Sequence, residues 1–336
     1  MITVKEIAKL AGVSPSTVSI VLNNKSKERK LSDETVAKVL AVAQKHGYRP
    51  NVQAVGLRVS PDSDKFRIII FWTADYRAAM MLRFIKSIER EILAQHYSYE
   101  VLLRPYKNGQ LKDALTEDLI RSCHGVIVCN ASEEDMQYLD NNDFARPLVL
   151  YNRYSDNHTT VNVDDAEIGA FPAEIFISHR KKHPALITYP VTFNGMNLRN
   201  NVFCYKCEEA GLPAPPVYVA PASLEGGYLA TRDLLKDHPE IDCIFYTSDV
   251  LALGSLKYYA ENDISVPDKV EFIATGNYED DWCVNSWPSI SVVRIPIEEM
   301  GAQCLRSLHS LMTYRKLKEQ SIKLPVNYIP RNSCPE

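Results

Sequence analysis

The sequence of 336 residues lacks the short motifs that mark the common catalytic and nucleotide-binding sites. It contains no phosphate loop of the form Gly-x-x-x-x-Gly-Lys, no Gly-x-Ser-x-Gly elbow, no His-Glu-x-x-His zinc motif and no dinucleotide fingerprint. The histidines show no metal-ligand spacing; they are His46, His96, His124, His158, His179, His183, His238 and His309. We therefore expect no enzyme activity, no cofactor and no metal site. An α/β enzyme is the remote alternative, which turnover assays would test.

The sequence also lacks a long apolar run and a leader peptide. No stretch approaches the roughly 20 apolar residues that a membrane-spanning helix needs. The first apolar residues are interleaved with Lys5, Glu6 and Lys9, unlike the uninterrupted apolar core of a secretory signal. We expect a soluble, cytoplasmic protein with no membrane partner.

A disulfide framework is lacking as well. The eight cysteines are scattered through apolar segments of a long chain, which is typical of small core residues. Cys204 and Cys207 form a single Cys-x-x-Cys, without a second pair or a histidine at ligand spacing. We predict that the cysteines are core residues, and a redox or zinc role for this pair is the alternative.

Positive charge is concentrated at the N-terminal end of the chain. Residues 1–60 carry ten basic and four acidic side chains, a net charge of +6. Because the whole chain has a formal net charge of −4, the remaining residues carry −10. A basic head on an acidic body is the pattern expected if only the head meets phosphate groups.

The stretch from Thr3 to Asn23 predicts two short helices joined by a tight turn. In the first helix Thr3 is the cap, Glu6 can complete a capping box, and Gly12 ends the helix. Ser14 caps the second helix, with Pro15 at its first position. Each helix has one apolar side, and together these sides comprise Val4, Ile7, Ala8, Ala11, Val18, Val21 and Leu22.

The other side of the second helix presents Ser16, Ser19, Ile20 and Asn23, spaced by three and four residues. This stripe of mostly small, hydrogen-bonding side chains fits a DNA major groove. From the pattern alone, an ordinary helical hairpin with a polar surface is the alternative.

A third helix and a connector follow. Ser32 caps the third helix and Gly47 stops it, so that residues 1–47 form a small helical domain. The basic loop 24–30 precedes this helix, and we expect it near the DNA backbone. Residues 48–60 form a connector in which Asn51 to Leu57 can make one or two helical turns. Gly56 makes such an isolated helix marginal, so it needs a partner.

From residue 61 onward, short buried strands alternate with amphipathic helices, which is typical of doubly wound parallel sheets. The strand candidates are Phe66 to Trp72, Tyr99 to Pro105, Gly125 to Asn130, Pro147 to Asn152, Thr160 to Val163, Pro184 to Tyr189, Val217 to Ala220, Cys243 to Thr247, Val270 to Gly276 and Ile290 to Ile295. Ten strands suit two lobes of about five each. Within this domain, 61–336, we assign about 66–162 and 293–323 to an N-lobe, and about 163–292 and 324–336 to a C-lobe.

Several segments resemble the motifs of one known family. The head reads Lys-Glu-Ile-Ala-Lys-Leu-Ala-Gly-Val-Ser-Pro-Ser-Thr-Val-Ser from Lys5 to Ser19, and Gly-Tyr-Arg-Pro-Asn from Gly47 to Asn51. Weaker matches in the body are Leu150–Arg153, Val163–Asp165, Gly226–Tyr228 and Thr247–Gly254. On these residues the chain resembles the lactose/galactose repressor (LacI/GalR) family of transcriptional regulators over nearly its whole length.

The resemblance implies an α/β protein with a small all-α helix-turn-helix DNA-binding head. It further implies a two-lobed, periplasmic-binding-protein-like body of doubly wound parallel sheets, a homodimer that binds double-stranded operator DNA, and a hinge helix that forms on DNA. Pro15, Ser16 and Ile20 would contact bases, and Leu57 would enter a minor-groove step, with a plain hinge-core leucine as the alternative. The predicted DNA-binding residues are Thr3, Val4, Ser14, Pro15, Ser16, Thr17, Ser19, Ile20, Asn23, Tyr48, Asn51, Ala54 and Leu57.

The sequence departs from the family pattern at three places. Most relatives carry arginine where this chain has Ile20, and isoleucine offers only apolar contact to a thymine methyl, so we expect a different operator. Arg199 fits the family's ligand-binding arginine, but Val202 replaces the usual glycine. The segment that usually reads Gly, aromatic, Asp is here Gly276-Asn277-Tyr278, so the usual carboxylate is either absent or replaced by Asn277.

The body is expected to bind a small effector between its lobes, because polar side chains follow the ends of several predicted strands. The candidates are Asp75, Tyr76, Asn152, Arg153, Asp164, Arg199, Ser248, Asp249, Asn277, Tyr278 and Trp282. For Asp249 a helix cap is the alternative role.

Our main hypothesis is a repressor of a carbohydrate-utilisation operon whose DNA binding is controlled by a sugar or sugar phosphate. Control by a purine or protein co-repressor is the alternative. Ligand binding would reorient the lobes and so favour or disfavour the hinge helix.

Overall fold

The computed structural model describes residues 4–22, 31–45, 66–74, 78–276, 280–313 and 321–336. The predicted basic loop 24–30 and connector 48–60 lie outside these ranges. The chain divides into two compact units, the head (Met1–Asp64) and the body (Lys65–Glu336). Among the described helices, none combines the length and apolar character that crossing a membrane requires.

The described part of the head contains three helices: α1 (Val4–Ala11), α2 (Pro15–Leu22) and α3 (Asp33–Lys45). Their shared core contains the buried side chains of Ile7, Ala8, Val18, Val21, Val39 and Ala43. Gly12 makes the turn after α1 at a φ of +67°, a conformation that a residue without Cβ adopts at little cost. Ser14 and Ser32 cap α2 and α3, since their hydroxyl oxygens accept the backbone N–H groups of Thr17 and Thr35.

The N-lobe of the body contains a six-stranded sheet. Its strands are β1 (Phe66–Thr73), β2 (Tyr99–Tyr106), β3 (Gly125–Cys129), β4 (Leu148–Tyr151), β5 (Thr159–Val163) and β11 (Ser321–Leu324). They lie in the order β11-β5-β4-β3-β1-β2, and every neighbouring pair is parallel. The helices of this lobe are α4 (Ala78–Ala94), α5 (Leu111–Ala114), α6 (Glu117–Arg121), α7 (Glu133–Asp140) and α13 (Ile297–Thr313).

The C-lobe is built in the same way. Its strands are β6 (Pro184–Thr188), β7 (Val217–Val219), β8 (Cys243–Tyr246), β9 (Glu271–Gly276), β10 (Ser291–Arg294) and β12 (Asn327–Ile329). Their order is β12-β10-β9-β8-β6-β7, with β12 antiparallel to β10 and the other pairs parallel. The helices are α8 (Asp165–Ser178), α9 (Asn194–Glu209), α10 (Leu224–Asp237), α11 (Asp249–Glu261) and α12 (Asp280–Asn285).

The predicted α/β fold with two parallel sheets is confirmed. The ten predicted strands are present as β1 to β10, and their bounds differ from the prediction by at most one residue at either end. The expected number of about five strands in each lobe was one too low, because β11 and β12 complete the two sheets at their edges. Both added strands are short and only partly buried, so they lack the apolar run of a central strand.

The chain passes between the two sheets three times: between β5 and α8, between β10 and α13, and between β11 and β12. Close helix contacts stabilise the C-lobe. A Cβ on Gly254 would lie 2.0 Å from the Leu224 carbonyl oxygen, so only glycine lets α10 and α11 approach this closely.

All eight cysteines are free thiols, and seven of them are buried, as predicted.

Candidate functional site

An exposed polar patch lies at the start of α2, the second helix of the head. Ser14, Pro15 and Ser16 are exposed, and Thr17 and Ile20 are half-buried. The Ser14 hydroxyl oxygen lies 2.6 Å from that of Ser16 and 2.9 Å from that of Thr17, so the three hydroxyl groups form one connected cluster. Such a cluster beside an apolar side chain can contact base edges and phosphate oxygens. We call these five residues the α2 patch.

The α2 patch contains five of the thirteen predicted DNA-binding residues. Val4 and Ser19 belong to α1 and α2 by their backbones, but the described part of the chain does not include their side chains. The remaining predicted residues lie outside the described ranges: Thr3, Asn23, Tyr48, Asn51, Ala54 and Leu57. Their contacts with DNA stay predictions.

In the body, a cavity of about 420 Å³ lies between the two lobes, beyond the carboxyl ends of β2, β3 and β6. The N-lobe contributes Ser132 and Glu133 to its wall, and the C-lobe contributes Thr192, Phe193 and Asn194. The two sides touch, since the backbone N–H of Asn194 donates a hydrogen bond to Glu133 Oε1 at 3.0 Å. Carboxylate, hydroxyl and aromatic groups therefore meet at the edge where parallel sheets commonly bind ligands.

The predicted effector arginine, Arg199, is part of a buried ion pair. Its Nε donates to Asp165 Oδ1 at 2.7 Å, and its NH2 nitrogen lies 2.7 Å from the same oxygen. The Arg199 and Asp165 side chains are only 4% and 1% exposed. The Tyr154 hydroxyl donates to Asp165 Oδ2, and burial together with the Asp165 charge raises the pKa of Tyr154, so that it remains a donor. The position of the guanidinium is therefore fixed from within the protein.

An aromatic ring joins Arg199 to a second predicted effector residue, Arg153. The Phe193 ring centroid lies 4.0 Å from the guanidinium carbon of Arg153 and 5.7 Å from that of Arg199. Arg153 is buried, and its guanidinium donates to the backbone carbonyl oxygens of Ala131 and Asn152. Since Phe193 also lines the cavity, its ring connects the two predicted arginines to the wall of the interlobe cleft.

Three other predicted effector residues make local contacts. Asp164 caps α8, because its Oδ1 accepts two backbone N–H groups of the first turn, and its Oδ2 accepts a hydrogen bond from Lys323 Nζ at 3.1 Å. Ser248 caps α11 by accepting the N–H of Val250, and Asp249 Oδ1 accepts from the same group. These contacts explain the three positions structurally, and the ligand role of each stays a prediction.

Two of the remaining predicted effector residues, Asn152 and Trp282, lie in the described part of the chain. Asn152 follows β4 at a φ of +57°, is 8% exposed, and donates its backbone N–H to the Val161 carbonyl oxygen. Trp282 lies on α12 and is 53% exposed. The other four candidates lie outside the described residues: Asp75, Tyr76, Asn277 and Tyr278.

The sequence-based prediction missed the residues that line the cavity, including Ser132, Glu133, Thr192, Phe193 and Asn194, and also the buried residues Asp165 and Asn130. Asp165 and Phe193 hold the two arginines, as described above. Asn130 follows β3 at a φ of +58° and is 1% exposed, and neither its amide nitrogen nor its amide oxygen has a hydrogen-bond partner among the described residues. A buried amide with both groups unsatisfied is a candidate for ligand contact. Its sequence signal was an asparagine directly after a buried strand.

The chain is similar to known proteins over nearly its whole length. Residues 3–51 match the model for bacterial regulatory proteins of the lacI family, and residues 173–334 match that for a periplasmic binding protein-like domain. The HTH-type transcriptional repressor PurR of Pasteurella multocida is 26% identical, covering 99% of this chain and 98% of PurR. The HTH-type transcriptional regulator GalS of Salmonella typhimurium is 25% identical, covering 90% and 87%. The crystal structure of a LacI family transcription regulator from Clostridium acetobutylicum gives a TM-score of 0.76 at 29% identity, covering 80% of this chain and 100% of that one.

A helix-turn-helix head on a body of the periplasmic-binding-protein type defines a class of transcriptional regulators, in which one unit contacts DNA and the other resembles a ligand receptor. The chain belongs to the lacI family of bacterial regulatory proteins and is a DNA-binding regulator of transcription. The resemblance inferred from Lys5 to Ser19 and from Gly47 to Asn51 is thereby confirmed.

Proposed function

We propose that the protein is a repressor that binds a two-part operator as a homodimer, and that a carbohydrate bound between the lobes controls this binding. The observation that carries the proposal is the α2 patch, which presents three hydroxyl groups and one half-buried isoleucine on a head whose residues 1–60 carry a net charge of +6. The positive charge supplies attraction to any DNA backbone, whereas the patch can discriminate between base sequences.

The chemistry of the cleft supports a carbohydrate effector. Sugar hydroxyl groups need donors, acceptors and an aromatic face at one place. Arg153 and Arg199 can donate, Glu133 can accept, and the Asn130 amide can do both. Phe193 supplies the aromatic face. We infer that a sugar or sugar phosphate binds against these five residues.

In this proposal each predicted domain of the chain has its own role. Residues 1–47 bind the operator, residues 48–60 form the hinge, and residues 61–336 bind the effector and the second copy of the chain. The protein would act in the cytoplasm, where its operator is. We propose no catalytic step, since the relatives named above are regulators.

The base contact of Ile20 can be tested by selecting bound duplexes from a random pool with the natural protein and with Ile20→Arg. Arginine pairs with guanine through two hydrogen bonds, which isoleucine cannot form. We expect the preference to move towards guanine at one position of each half-site, with the other positions unchanged.

The matched control is Leu10→Arg, which adds the same charge on α1, where Leu10 is 56% exposed. It should raise affinity for all duplexes at low salt without changing the preferred sequence, because added charge attracts phosphates nonspecifically. An identical preference for the natural protein and Ile20→Arg would remove Ile20 from base recognition. No preference for any duplex would refute the repressor proposal.

A further inference from the structure

Three side chains from distant parts of the sequence meet in the C-lobe, at the ends of the strands opposite to the cleft. His179 follows α8, Glu271 is the first residue of β9, and Cys334 lies in the C-terminal tail. His179 Nδ1 is 2.8 Å from Glu271 Oε2, and Cys334 Sγ is 3.3 Å from the same oxygen. The distance from Cys334 Sγ to His179 Nδ1 is 3.8 Å.

We propose that His179, Glu271 and Cys334 bind a transition metal ion of the Zn²⁺ type. Zinc ligands lie about 2.0–2.3 Å from the ion, so neighbouring ligand atoms of a tetrahedral site are roughly 3.3–3.7 Å apart. Two of the three distances, 3.3 and 3.8 Å, are close to this range. The third distance, 2.8 Å between His179 Nδ1 and Glu271 Oε2, must lengthen by about half an ångström when the ion binds.

The types of the three ligands select the metal. Imidazole, thiolate and carboxylate together are ligands that Zn²⁺ accepts, whereas Ca²⁺ and Mg²⁺ prefer oxygen ligands alone. Burial, with the nearby Glu271 carboxylate, raises the pKa of the Cys334 thiol to about 12, so the thiol is neutral and donates to that carboxylate. An arriving Zn²⁺ ion displaces this proton, because the thiolate is the form that binds metal.

Neighbouring groups hold the three ligands in place. The Tyr328 hydroxyl donates to the Cys334 carbonyl oxygen at 2.7 Å, and the Cys334 N–H donates to Ser291 Oγ at 3.0 Å. Lys181 Nζ lies 3.1 Å from Glu271 Oε1, which leaves Oε2 directed at His179 and Cys334. Such outer contacts orient metal ligands in known sites.

A simple ion-pair network is the competing explanation, since Lys181, Glu271 and His179 already form a chain of charged contacts. That network does not require the buried thiol of Cys334, which contacts both other ligands. The His179 and Glu271 side chains are 23% and 13% exposed, so an ion can enter from solvent and a water molecule can complete the coordination. The bound ion would fasten the C-terminal tail to α8 and β9.

The proposal is tested by titrating the metal-free full-length protein with Co²⁺, whose spectrum reports thiolate coordination, and by competing the bound Co²⁺ with Zn²⁺. We expect one Co²⁺ per chain, a thiolate charge-transfer band, visible bands typical of a tetrahedral site, and a melting temperature that rises with Zn²⁺. Cys334→Ser should abolish the charge-transfer band. His179→Gln, at a partly exposed position, should weaken binding at least ~10-fold while the protein stays folded.

Two control variants separate this site from other metal-binding groups. Cys204→Ser changes the half-buried thiol of the Cys-x-x-Cys pair, and His238→Gln changes a partly exposed histidine that contacts Glu240. Both should bind Co²⁺ like the natural protein. Absence of stoichiometric Co²⁺ binding would overturn the proposal, and so would a thiolate band that persists in Cys334→Ser or disappears in Cys204→Ser. Unchanged affinity in His179→Gln would likewise refute it.

Discussion

The Arg199 guanidinium and the Asp165 carboxylate are both withdrawn from water, so each charge depends on the other. Replacing Asp165 by asparagine keeps the shape but leaves a buried cation without its counter-charge. Breaking a buried pair in this way costs about 3–5 kcal/mol. We expect Asp165→Asn to lower the free energy of unfolding of the body by that amount, measured by urea denaturation.

The matched control for this prediction is an exposed pair in the same lobe. Arg232 Nε lies 2.8 Å from Asp233 Oδ1, and both side chains are 47% exposed, so water and salt screen their attraction. Asp233→Asn should therefore change stability far less than Asp165→Asn. Equal, small effects in the two variants would show that Arg199 does not depend on Asp165.

Single residues differ in how far the sequence could reveal their roles. Arg199 was predicted because the family resemblance marks it, but a linear pattern does not show that its charge is balanced by Asp165, 34 positions earlier. Phe193 has no periodic signal in the sequence, because it lies just before the first residue of α9. Its ring contacts two arginines that come close to it only in the folded chain. The cleft could thus be placed at the strand ends, whereas its internal contacts required the structure.

At the scale of elements, α4 and α13 are fastened by a bidentate ion pair. Arg83 Nε lies 2.6 Å from Glu298 Oε1, and Arg83 NH2 lies 2.9 Å from Oε2. Burial raises the pKa of Glu298, but the hydrogen bonds and charge of Arg83 outweigh it, and the pKa lies below its ordinary value. A carboxyl group whose pKa is lowered by folding stabilises the native state above its unfolded pKa, and this contribution is lost as pH falls through the folded pKa.

We therefore expect the natural protein to be more stable than Glu298→Gln at neutral pH, and the difference to shrink as pH falls from about 5 through the lowered pKa of Glu298. Thermal unfolding of both proteins across this range measures it. The control is Glu117→Gln, which removes the exposed partner of Arg121 on α6 and should change stability little at any pH. A difference for Glu298→Gln that stays constant with pH would contradict the assigned linkage.

Some secondary-structure elements could be predicted from the sequence, and others could not. Central strands could be predicted because both faces of such a strand are buried, as in the continuous apolar run of β1. The edge strand β11 alternates exposed and half-buried residues over four positions, which is too weak a pattern to recognise. The ligands of the proposed metal site are 92 and 63 positions apart in sequence, so spacing rules cannot detect them.

At the scale of the whole molecule, the proposed effector cleft and the predicted operator contacts belong to different units of one chain. The cleft walls come from both lobes, and three chain crossings connect these lobes. A ligand that contacts both walls binds more tightly to one relative position of the lobes than to another. This difference in binding free energy is all that the ligand can contribute to regulation, and it is the preference that must reach the head. Residues 48–60, which precede β1 in the chain, are the covalent route by which this preference can reach the head.

This coupling predicts a reciprocal effect of effector and operator. A thermal-shift screen of sugars and purines should identify a sugar that raises the melting temperature by binding the native state. That sugar should change operator affinity by a factor of ~5–150, and saturating operator should change sugar affinity by the same factor.

The control is an unrelated duplex of equal length. The sugar should alter its binding little, because the charge of the head suffices for nonspecific contact. Titrations of each ligand at fixed levels of the other measure both factors. A stabilising sugar without influence on operator binding would refute its role as effector, and a purine with such influence would replace the sugar in the proposal.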